Sequence, residues 1–261
     1  MTEDLALIEA AAREAGAEAR RLKAAGLKTW AKDGGSPVTN ADLAVDALLR
    51  TGLGEARPDY GWLSEETADD PARLDRRRLF VVDPIDGTVA FLKDKPWWTV
   101  CIAVVEDGQP VAACIHAPDL DETFVASRGG GAWRNGERIA AGDCAAIEDC
   151  RMLAAVKMFS HPAWPTPWPP MQVEARNSVA YRLCLVADGR FDAALALSSK
   201  CEWDLAAAEL ICAEAGAVVT DHRGRAFSYN RPNPQFPSLI AATPALHPLI
   251  LERVRHIDLP D

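Results

Sequence analysis

The chain of 261 residues carries a formal net charge of -10 and has an isoelectric point near 5.0. Hydrophobic residues make up 49% of it and charged residues 25%, which is typical of a folded globular protein and excludes a disordered chain. Because a phosphate backbone selects clustered Lys and Arg, this acidic balance argues against a nucleic-acid polymer as partner.

The sequence predicts neither a secretory signal nor a membrane-spanning segment. Its first ten residues carry acidic side chains without a long apolar run, and no apolar stretch reaches the roughly 20 residues that a membrane helix needs. The seven cysteines are scattered, odd in number and without a C-x-x-C pair, so we interpret them as reduced, mainly buried thiols. We therefore expect a cytoplasmic protein with no membrane partner.

Residues 1–148 are expected to form an N-terminal half in which two helices lie on a largely antiparallel sheet. Helical spacing of apolar residues predicts a first helix over 2–25, and Thr39 or Asn40 is placed to cap a second. Short connections favour antiparallel pairing. The predicted strands cover 60–63, 79–82, 98–105, 110–117, 122–127 and 131–134.

Residues 149–261 change to an alternation of strands and helices, which predicts a C-terminal α/β half. A loop at 159–171 is rich in Pro and Trp, a composition that excludes regular structure and suits a surface cover or an oligomer contact. The predicted strands cover 152–156, 191–197, 217–220 and 238–242, and the predicted helices cover 178–187, 204–215 and a segment that begins at Pro244.

The buried strand at 79–82 runs into residues 83–88, DPIDGT. Pro84 removes a ladder hydrogen bond and Gly87 permits a turn, so we expect the chain to leave the sheet here. Asp83 and Asp86 would then converge on one point, where two like charges repel each other unless a cation or a proton lies between them. A divalent metal site is the first interpretation, and an ordinary turn rich in Asp and Gly is the other.

Three further carboxylates stand at the ends of predicted elements. Asp42 falls in the first turn of the second helix, Glu65 follows the strand at 60–63, and Asp204 opens a helix. Acid in a first helical turn also has an ordinary explanation, because it caps the helix or pairs with its dipole. As a set, oxygen ligands without His or Cys favour Mg²⁺ over zinc or copper.

Four segments together resemble the inositol monophosphatase superfamily of Mg²⁺-dependent, lithium-sensitive phosphomonoesterases. They occur in the family's order and spacing and span most of the chain. The resemblance implies an α/β fold, namely a layered αβαβα sandwich with an α+β N-terminal and an α/β C-terminal half, and it allows a homodimer. The segments are 36–42 (SPVTNAD), 64–66 (SEE), 83–88 (DPIDGT) and 203–208 (WDLAAA).

Carried onto this sequence, the family pattern implies a catalytic site that holds two or three Mg²⁺ ions. Asp42 and Thr88 would orient and deprotonate the attacking water, and Glu65 would act in catalysis as well as touch a weaker third ion through water. The backbone amides of Gly87 and Thr88 would face the phosphate. The implied metal ligands are Glu65, Asp83, the Ile85 carbonyl, Asp86 and Asp204.

The expected substrate is a small phosphorylated metabolite, hydrolysed by metal-activated water. Inositol monophosphatases commonly carry a Glu about seven residues before the Trp-Asp pair, whereas this chain has LALSS at 195–199. The Glu202-Trp203-Asp204 run instead resembles 3'(2'),5'-bisphosphate nucleotidases, which we favour slightly over an inositol-1-monophosphatase or related sugar phosphatase. A non-catalytic binding or regulatory protein that keeps the fold is the alternative of another class.

Two cations are candidate substrate contacts. Arg182 stands where the nucleotidase branch commonly carries a Lys and would meet a second phosphate, although helical pairing with Asp188 explains it equally well. Lys32, on a Gly-rich loop before Asp42, would reach the site when that loop closes, but plain solvent exposure is the favoured interpretation.

Overall fold

The computed structural model describes residues 2–32, 35–162 and 164–259. Part of the Gly-rich loop, Asp33 and Gly34, and one residue of the Pro- and Trp-rich loop, Ala163, lie outside the described residues. The helices are α1 (Glu3–Ala25), α2 (Asn40–Ala56), α3 (Thr88–Leu92), α4 (Val179–Ala187), α5 (Glu202–Glu214) and α6 (His247–Val254).

The strands fall into two main sheets and two small ribbons. The ribbons pair β1 with β2 and β13 with β15. The strands are β1 (Thr29–Ala31), β2 (Pro37–Thr39), β3 (Gly61–Ser64), β4 (Arg78–Asp86), β5 (Thr99–Glu106), β6 (Gln109–Ala117), β7 (Glu122–Ser127), β8 (Gly131–Arg134), β9 (Glu137–Ile139), β10 (Arg151–Leu153), β11 (Gln172–Glu174), β12 (Ala193–Ala196), β13 (Lys200–Cys201), β14 (Val218–Thr220), β15 (Gln235–Phe236) and β16 (Leu239–Ala242).

The larger sheet has seven strands in the order β3-β4-β5-β6-β7-β8-β9. Its strands β3 and β4 run parallel, and the other neighbours are antiparallel, as the short turns predict. Asp107 and Gly108 have φ of 50° and 77°, which suits the primed turn of a tight hairpin. The antiparallel meander is therefore confirmed.

Helices α1 and α2 begin where the capping residues predict. The side chain of Thr2 accepts a hydrogen bond from the Leu5 amide, and Thr39 and Asp42 form a capping box at the start of α2. Apolar residues of both helices pack on one face of the seven-stranded sheet, against the side chains of Phe80 and Val82 among others. This face forms the first buried core.

Helices α4 and α5 form a middle layer between the two main sheets. Val81 of β4 and Ala241 of β16 belong to one core with these helices, whereas Ile240, which points to the opposite face of the second sheet, packs with Ile250 of α6. The order of layers is therefore helix, sheet, helix, sheet, helix. The expected αβαβα sandwich is confirmed, while the division at residue 148 stays a prediction.

The second sheet has five strands in the order β11-β10-β12-β16-β14. Strand β10 runs parallel to β11 and β12, and β16 runs antiparallel to β12 and β14. The prediction of a strand as far as Val156 was wrong, since β10 ends at Leu153 and residues 156–158 form a 3₁₀ turn. The start of the last helix at Pro244 was also wrong, because α6 begins at His247.

The described part of the Pro- and Trp-rich loop lies over the outer core. Trp168 stacks edge-on against Phe159 and Trp164, with ring centroids 5.0 and 5.3 Å apart. All three rings pack on the core that contains Ile250. Covering this core is therefore one role of the loop. None of the described helices is both long enough and apolar enough to cross a bilayer.

Candidate active site

Three carboxylates meet at the C-terminal end of β4. Each of Asp83, Asp86 and Asp204 offers an oxygen that lies within 4.8 Å of the other two. Asp83 and Asp86 are buried at the end of strand β4, and Asp204 lies in the first turn of α5. These three residues, called the carboxylate cluster below, bring together parts of the chain more than 100 residues apart.

The expectation that the chain leaves the sheet at Pro84 was wrong. Asp83 pairs with Cys101 and Asp86 pairs with Thr99, so the strand continues past the proline through a register shift. One ladder hydrogen bond is missing at such a register shift, so proline, which has no backbone N–H to donate, is tolerated there. The Asp83 carboxylate stabilises it by accepting a hydrogen bond from the Ile85 amide at 3.0 Å.

The N-terminus of α4 holds Asp86. Its carboxylate accepts hydrogen bonds from the Ser178 hydroxyl at 2.5 Å and from the amides of Val179 and Ala180 at 3.1 and 2.7 Å. Gly87 next to it has a φ of 91°, and a Cβ there would lie 3.1 Å from Ser178. The positive φ and the close approach of Ser178 thus require glycine at this position.

The carboxylate of Asp204 both caps a helix and belongs to the cluster. Its Oδ2 accepts a hydrogen bond from the Cys201 amide at 2.8 Å, so the residue does cap α5 as the ordinary explanation proposes. The carboxylate also belongs to the cluster. Burial, and next the charge of Asp86, raise the pKa of Asp204 to about 7.

Asp42 and Thr88 are brought into contact beside the cluster. Asp42 Oδ2 accepts bonds from the Thr39 amide and hydroxyl at 2.8 and 2.6 Å, which leaves Oδ1 facing the Thr88 hydroxyl at 3.3 Å. The same hydroxyl lies 3.2 Å from the Ile85 carbonyl oxygen. Burial is the main reason why the pKa of Asp42 is raised.

Lys32 reaches Glu65 and Glu66, so the favoured interpretation of plain solvent exposure was wrong. Its ammonium donates to Glu65 Oε1 at 2.7 Å and to Glu66 Oε1 at 2.6 Å, and its side chain is 27% exposed. Burial opposes the charge of Lys32, yet the two carboxylates outweigh it and raise the lysine pKa. Burial also raises the pKa of Glu66 to about 7.

The carboxylate cluster has the donor set of a divalent-metal site. Burial, followed by the charges of Glu65, Asp86 and Asp204, raises the pKa of Asp83 well above its ordinary value. Carboxylates forced together in this way are stabilised by a proton or a cation, and an all-oxygen set suits Mg²⁺. The residues present therefore fit a metal, and Glu65 lies close enough for its charge to act on the cluster although its carboxylate is paired with Lys32.

The pairing of Arg182 with Asp188 was wrong. Asp188 accepts instead from Arg134 and Arg190, at 2.7 and 2.6 Å. Arg182 Nε donates to the Ser178 carbonyl oxygen at 3.2 Å, and the guanidinium feels the charges of Asp86 and Asp204. The residue therefore faces the cluster.

Sequence reasoning missed three residues around the site. Ser178 holds Asp86, and Asp46 accepts hydrogen bonds from the hydroxyls of Ser64 and Thr67 on either side of Glu65. Lys200 lies where the charges of Asp204 and Asp86 act on it. A serine before a predicted helix was a usable signal for Ser178, whereas Asp46 and Lys200 become meaningful only through contacts distant in sequence.

The fold of this chain also occurs in solved structures of inositol monophosphatases. An IMPase of Thermotoga maritima superposes with a TM-score of 0.83 at 26% identity, covering 97% of each chain. A 3'(2'),5'-bisphosphate nucleotidase CysQ of Aggregatibacter actinomycetemcomitans is 31% identical over 239 residues, 84% of this chain and 85% of its own. A histidinol-phosphatase of Mycobacterium tuberculosis is 32% identical over 248 residues, 90% of each.

The model of the inositol monophosphatase family matches residues 1–259. The chain therefore belongs to the inositol monophosphatase family. It is accordingly a phosphoric monoester hydrolase that acts on small phosphorylated substrates, as the resemblance of its four segments implies. Since the similar proteins carry different substrate names, the family does not determine which ester is cleaved.

Proposed function

We propose that this protein is a Mg²⁺-dependent phosphomonoesterase that attacks its substrate directly with water. The observation that carries the proposal is the convergence of three carboxylates, two buried and one half-buried, within 4.8 Å of one another. We propose that the site holds two or three ions, and that their ligands are Glu65, Asp83, the Ile85 carbonyl, Asp86 and Asp204. When bound, Mg²⁺ supplies a polarised water and neutralises charge on the phosphoryl group.

The chain's own residues would orient that reaction. The Asp42 carboxylate, already bonded to Thr39, and the Thr88 hydroxyl are 3.3 Å apart and would together hold the water and take its proton. Glu65 would assist through water. The amides of Gly87 and Thr88, at the start of α3, would face the phosphoryl oxygens.

We propose 3'(2'),5'-bisphosphate nucleotide as the slightly favoured substrate. Support comes from the nucleotidase relative, from the missing Glu at 195–199 and from Arg182, which faces the cluster as a cation. An inositol 1-phosphate or related sugar phosphate is the alternative, supported by the similar IMPase fold. Histidinol phosphate is a third candidate, because one similar protein is a histidinol-phosphatase.

The test is phosphate release from adenosine 3',5'-bisphosphate, inositol 1-phosphate and histidinol phosphate. We expect release that requires added Mg²⁺, disappears with a chelator and is inhibited by Li⁺. Release that is unaffected by the chelator, or a phosphoaspartate trapped on the protein, would contradict the mechanism. No release from a broad panel of monoesters would favour the non-catalytic alternative.

We further propose that the protein is cytoplasmic, because a reducing compartment is the simplest environment for seven cysteines that are all free thiols. The family resemblance also supports a homodimer, which light scattering of the purified chain tests directly. A monomeric mass at working concentration would contradict the dimer.

A further inference from the structure

Two cationic side chains border the carboxylate cluster without a carboxylate partner. Lys200 lies on β13, four residues before Asp204, and Arg182 lies on α4, one turn after the Ser178 that holds Asp86. Among the described residues, neither forms an ion pair. Lys32, by contrast, is bound to Glu65 and Glu66.

Among the residues that the structure describes, the ammonium of Lys200 is held by neutral oxygens of its own loop. It donates to the Ser198 carbonyl and hydroxyl at 3.2 and 2.9 Å and to the Ser199 carbonyl at 2.8 Å. None of these partners carries a negative charge, and the next residue of the strand, Cys201, donates its amide to Asp204 at 2.8 Å. Burial lowers the pKa of Lys200, Asp204 opposes this, and the nearby charge of Arg182 lowers it again.

Arg182 has the same imbalance. Within the described part of the chain, its Nε donates only to the Ser178 carbonyl oxygen, and burial lowers the pKa of its guanidinium. The charges of Asp86 and Asp204 act favourably on both cations, but neither carboxylate forms an ion pair with them, so both cations can still bind an added anion. A planar guanidinium and a flexible ammonium together match the oxygens of a phosphate.

We infer that Lys200, with Arg182, forms a subsite for a second phosphate group of the substrate, next to the phosphoryl group taken by the carboxylate cluster. The inference rests on the proposed function, because it assumes that the cluster binds the scissile phosphate. Lys200 is the specificity-determining residue of this subsite. A substrate that carries an ammonium near its phosphate, such as histidinol phosphate, is disfavoured there because like charges repel.

The experiment compares two matched pairs of substrates that differ only in the second phosphate. These are adenosine 3'-monophosphate with adenosine 3',5'-bisphosphate, and fructose 1-phosphate with fructose 1,6-bisphosphate. For whichever pair is hydrolysed, we expect Lys200→Met to raise the KM ratio of bisphosphate to monophosphate about tenfold, as the loss of a charge-assisted hydrogen bond predicts. Lys200→Arg should restore most of the wild-type ratio.

Arg138→Met is the matched control for loss of one positive charge. Arg138 is exposed on β9, five strands from β4 in the same sheet, or roughly 24 Å at about 4.8 Å per strand. An unchanged KM ratio in Lys200→Met would overturn the inference. An equal change in Arg138→Met would do so too, since the effect would then reflect net charge.

A binding measurement separates this inference from the proposed function. Adenosine 5'-monophosphate and fructose 6-phosphate keep only the second phosphate, so calorimetry with Mg²⁺ and inorganic phosphate present reads the subsite without turnover. We expect Lys200→Met to weaken the better-bound product about tenfold. Equal binding by both proteins, or no binding to the wild type, would overturn the subsite whether or not phosphate is released from any ester.

Discussion

The acidic residues of the site use their two carboxylate oxygens differently. Asp42 and Asp204 each cap a helix with Oδ2, through Thr39 and through the Cys201 amide respectively. Asp42 leaves Oδ1 toward Thr88, and the Asp204 carboxylate also belongs to the cluster. The ordinary explanation and the chemical one are therefore both correct for these residues. Capping fixes the rotamer, and a fixed carboxylate loses little entropy when it acts.

Asp204→Asn is expected to lower kcat at least about 100-fold while the protein stays folded. The amide oxygen can still accept the Cys201 N–H, so α5 keeps its cap, but one charge of the cluster is lost. In the presence of a chelator the variant should melt no lower than the wild type, because repulsion among buried carboxylates falls. Kinetics with Mg²⁺ and thermal melts without it check both statements, and unaltered turnover would refute the metal role.

Thr88→Val tests the hydroxyl beside Asp42. The two side chains have nearly the same shape, so we expect kcat to fall at least about tenfold with little change in melting temperature. Thr88→Ser keeps the hydroxyl and should recover most of the rate. A valine variant as active as the wild type would remove Thr88 from the proposed water-binding pair.

At the scale of elements, the site depends on where three chain segments end. Strand β4 continues past Pro84 to deliver Asp83 and Asp86, α4 begins at Ser178 and binds Asp86, and α5 begins at Glu202 and presents Asp204. Helix N-termini carry free amides, and here they stabilise a carboxylate that repulsion would otherwise push away. The packing of α4 against α5 therefore sets the size of the cluster.

Ser178→Ala should affect both folding and metal binding. It removes the cap of α4 and the hydroxyl bond to Asp86, so we expect a loss of about 1–3 kcal/mol in the free energy of unfolding and weaker Mg²⁺ binding. Thr2→Ala is the matched control, since Thr2 caps α1 far along the chain from these ligands. Denaturant unfolding and Mg²⁺ calorimetry of both variants decide it, and equal Mg²⁺ affinity in all three proteins would contradict the role of Ser178.

At the scale of the whole molecule, α5 joins the two sheets. One core holds Leu205 and Ile211 of this helix together with Val81 of the first sheet and Ala241 of the second. Glu202, at its start, is buried and accepts the amides of Asn230 and Arg231 at 2.7 and 2.9 Å. The proposed metal ligand Asp204 thus lies on a helix that packs against both sheets.

Glu209 on α5 makes the stability of this middle layer depend on pH. Its carboxylate accepts a bond from the Tyr229 hydroxyl at 2.5 Å, and burial raises its pKa from 4.5 to about 7. Between these two values the folded protein binds more protons than the unfolded chain, so this contribution to stability is complete below pH 4.5 and is lost as pH rises through about 7.

Glu209→Gln should therefore remove part of that pH dependence. Gln keeps an oxygen for Tyr229 without a charge. Between pH 4.5 and pH 8 we therefore expect the free energy of unfolding of the variant to rise by up to about 3 kcal/mol relative to that of the wild type. Unfolding in denaturant at both values, with saturating Mg²⁺ so that the cluster does not titrate, measures the difference. Parallel curves for the two proteins would show that Glu209 is already charged in the fold.

The sequence by itself determined the family through its four segments, and the resemblance implied the layers and the list of acids. Periodicity and turn residues determined most of the helices and strands, because these are local properties of the chain. The sequence could not determine that Pro84 stays within a strand, since the register shift depends on pairing with Thr99 and Cys101. It also favoured solvent exposure for Lys32 and left Arg182 between Asp188 and a second phosphate, because charge partners distant in sequence are invisible until the chain folds.

Only the tertiary structure decided which charges are neutralised and which are not. Asp83 and Asp204 are more than 100 residues apart, and their approach within 4.8 Å depends on how the sheet and α5 pack. The same packing left Lys200 beside the cluster without a carboxylate. Chemistry at this site follows from unbalanced charges in a buried place, and burial is a property of the folded molecule alone.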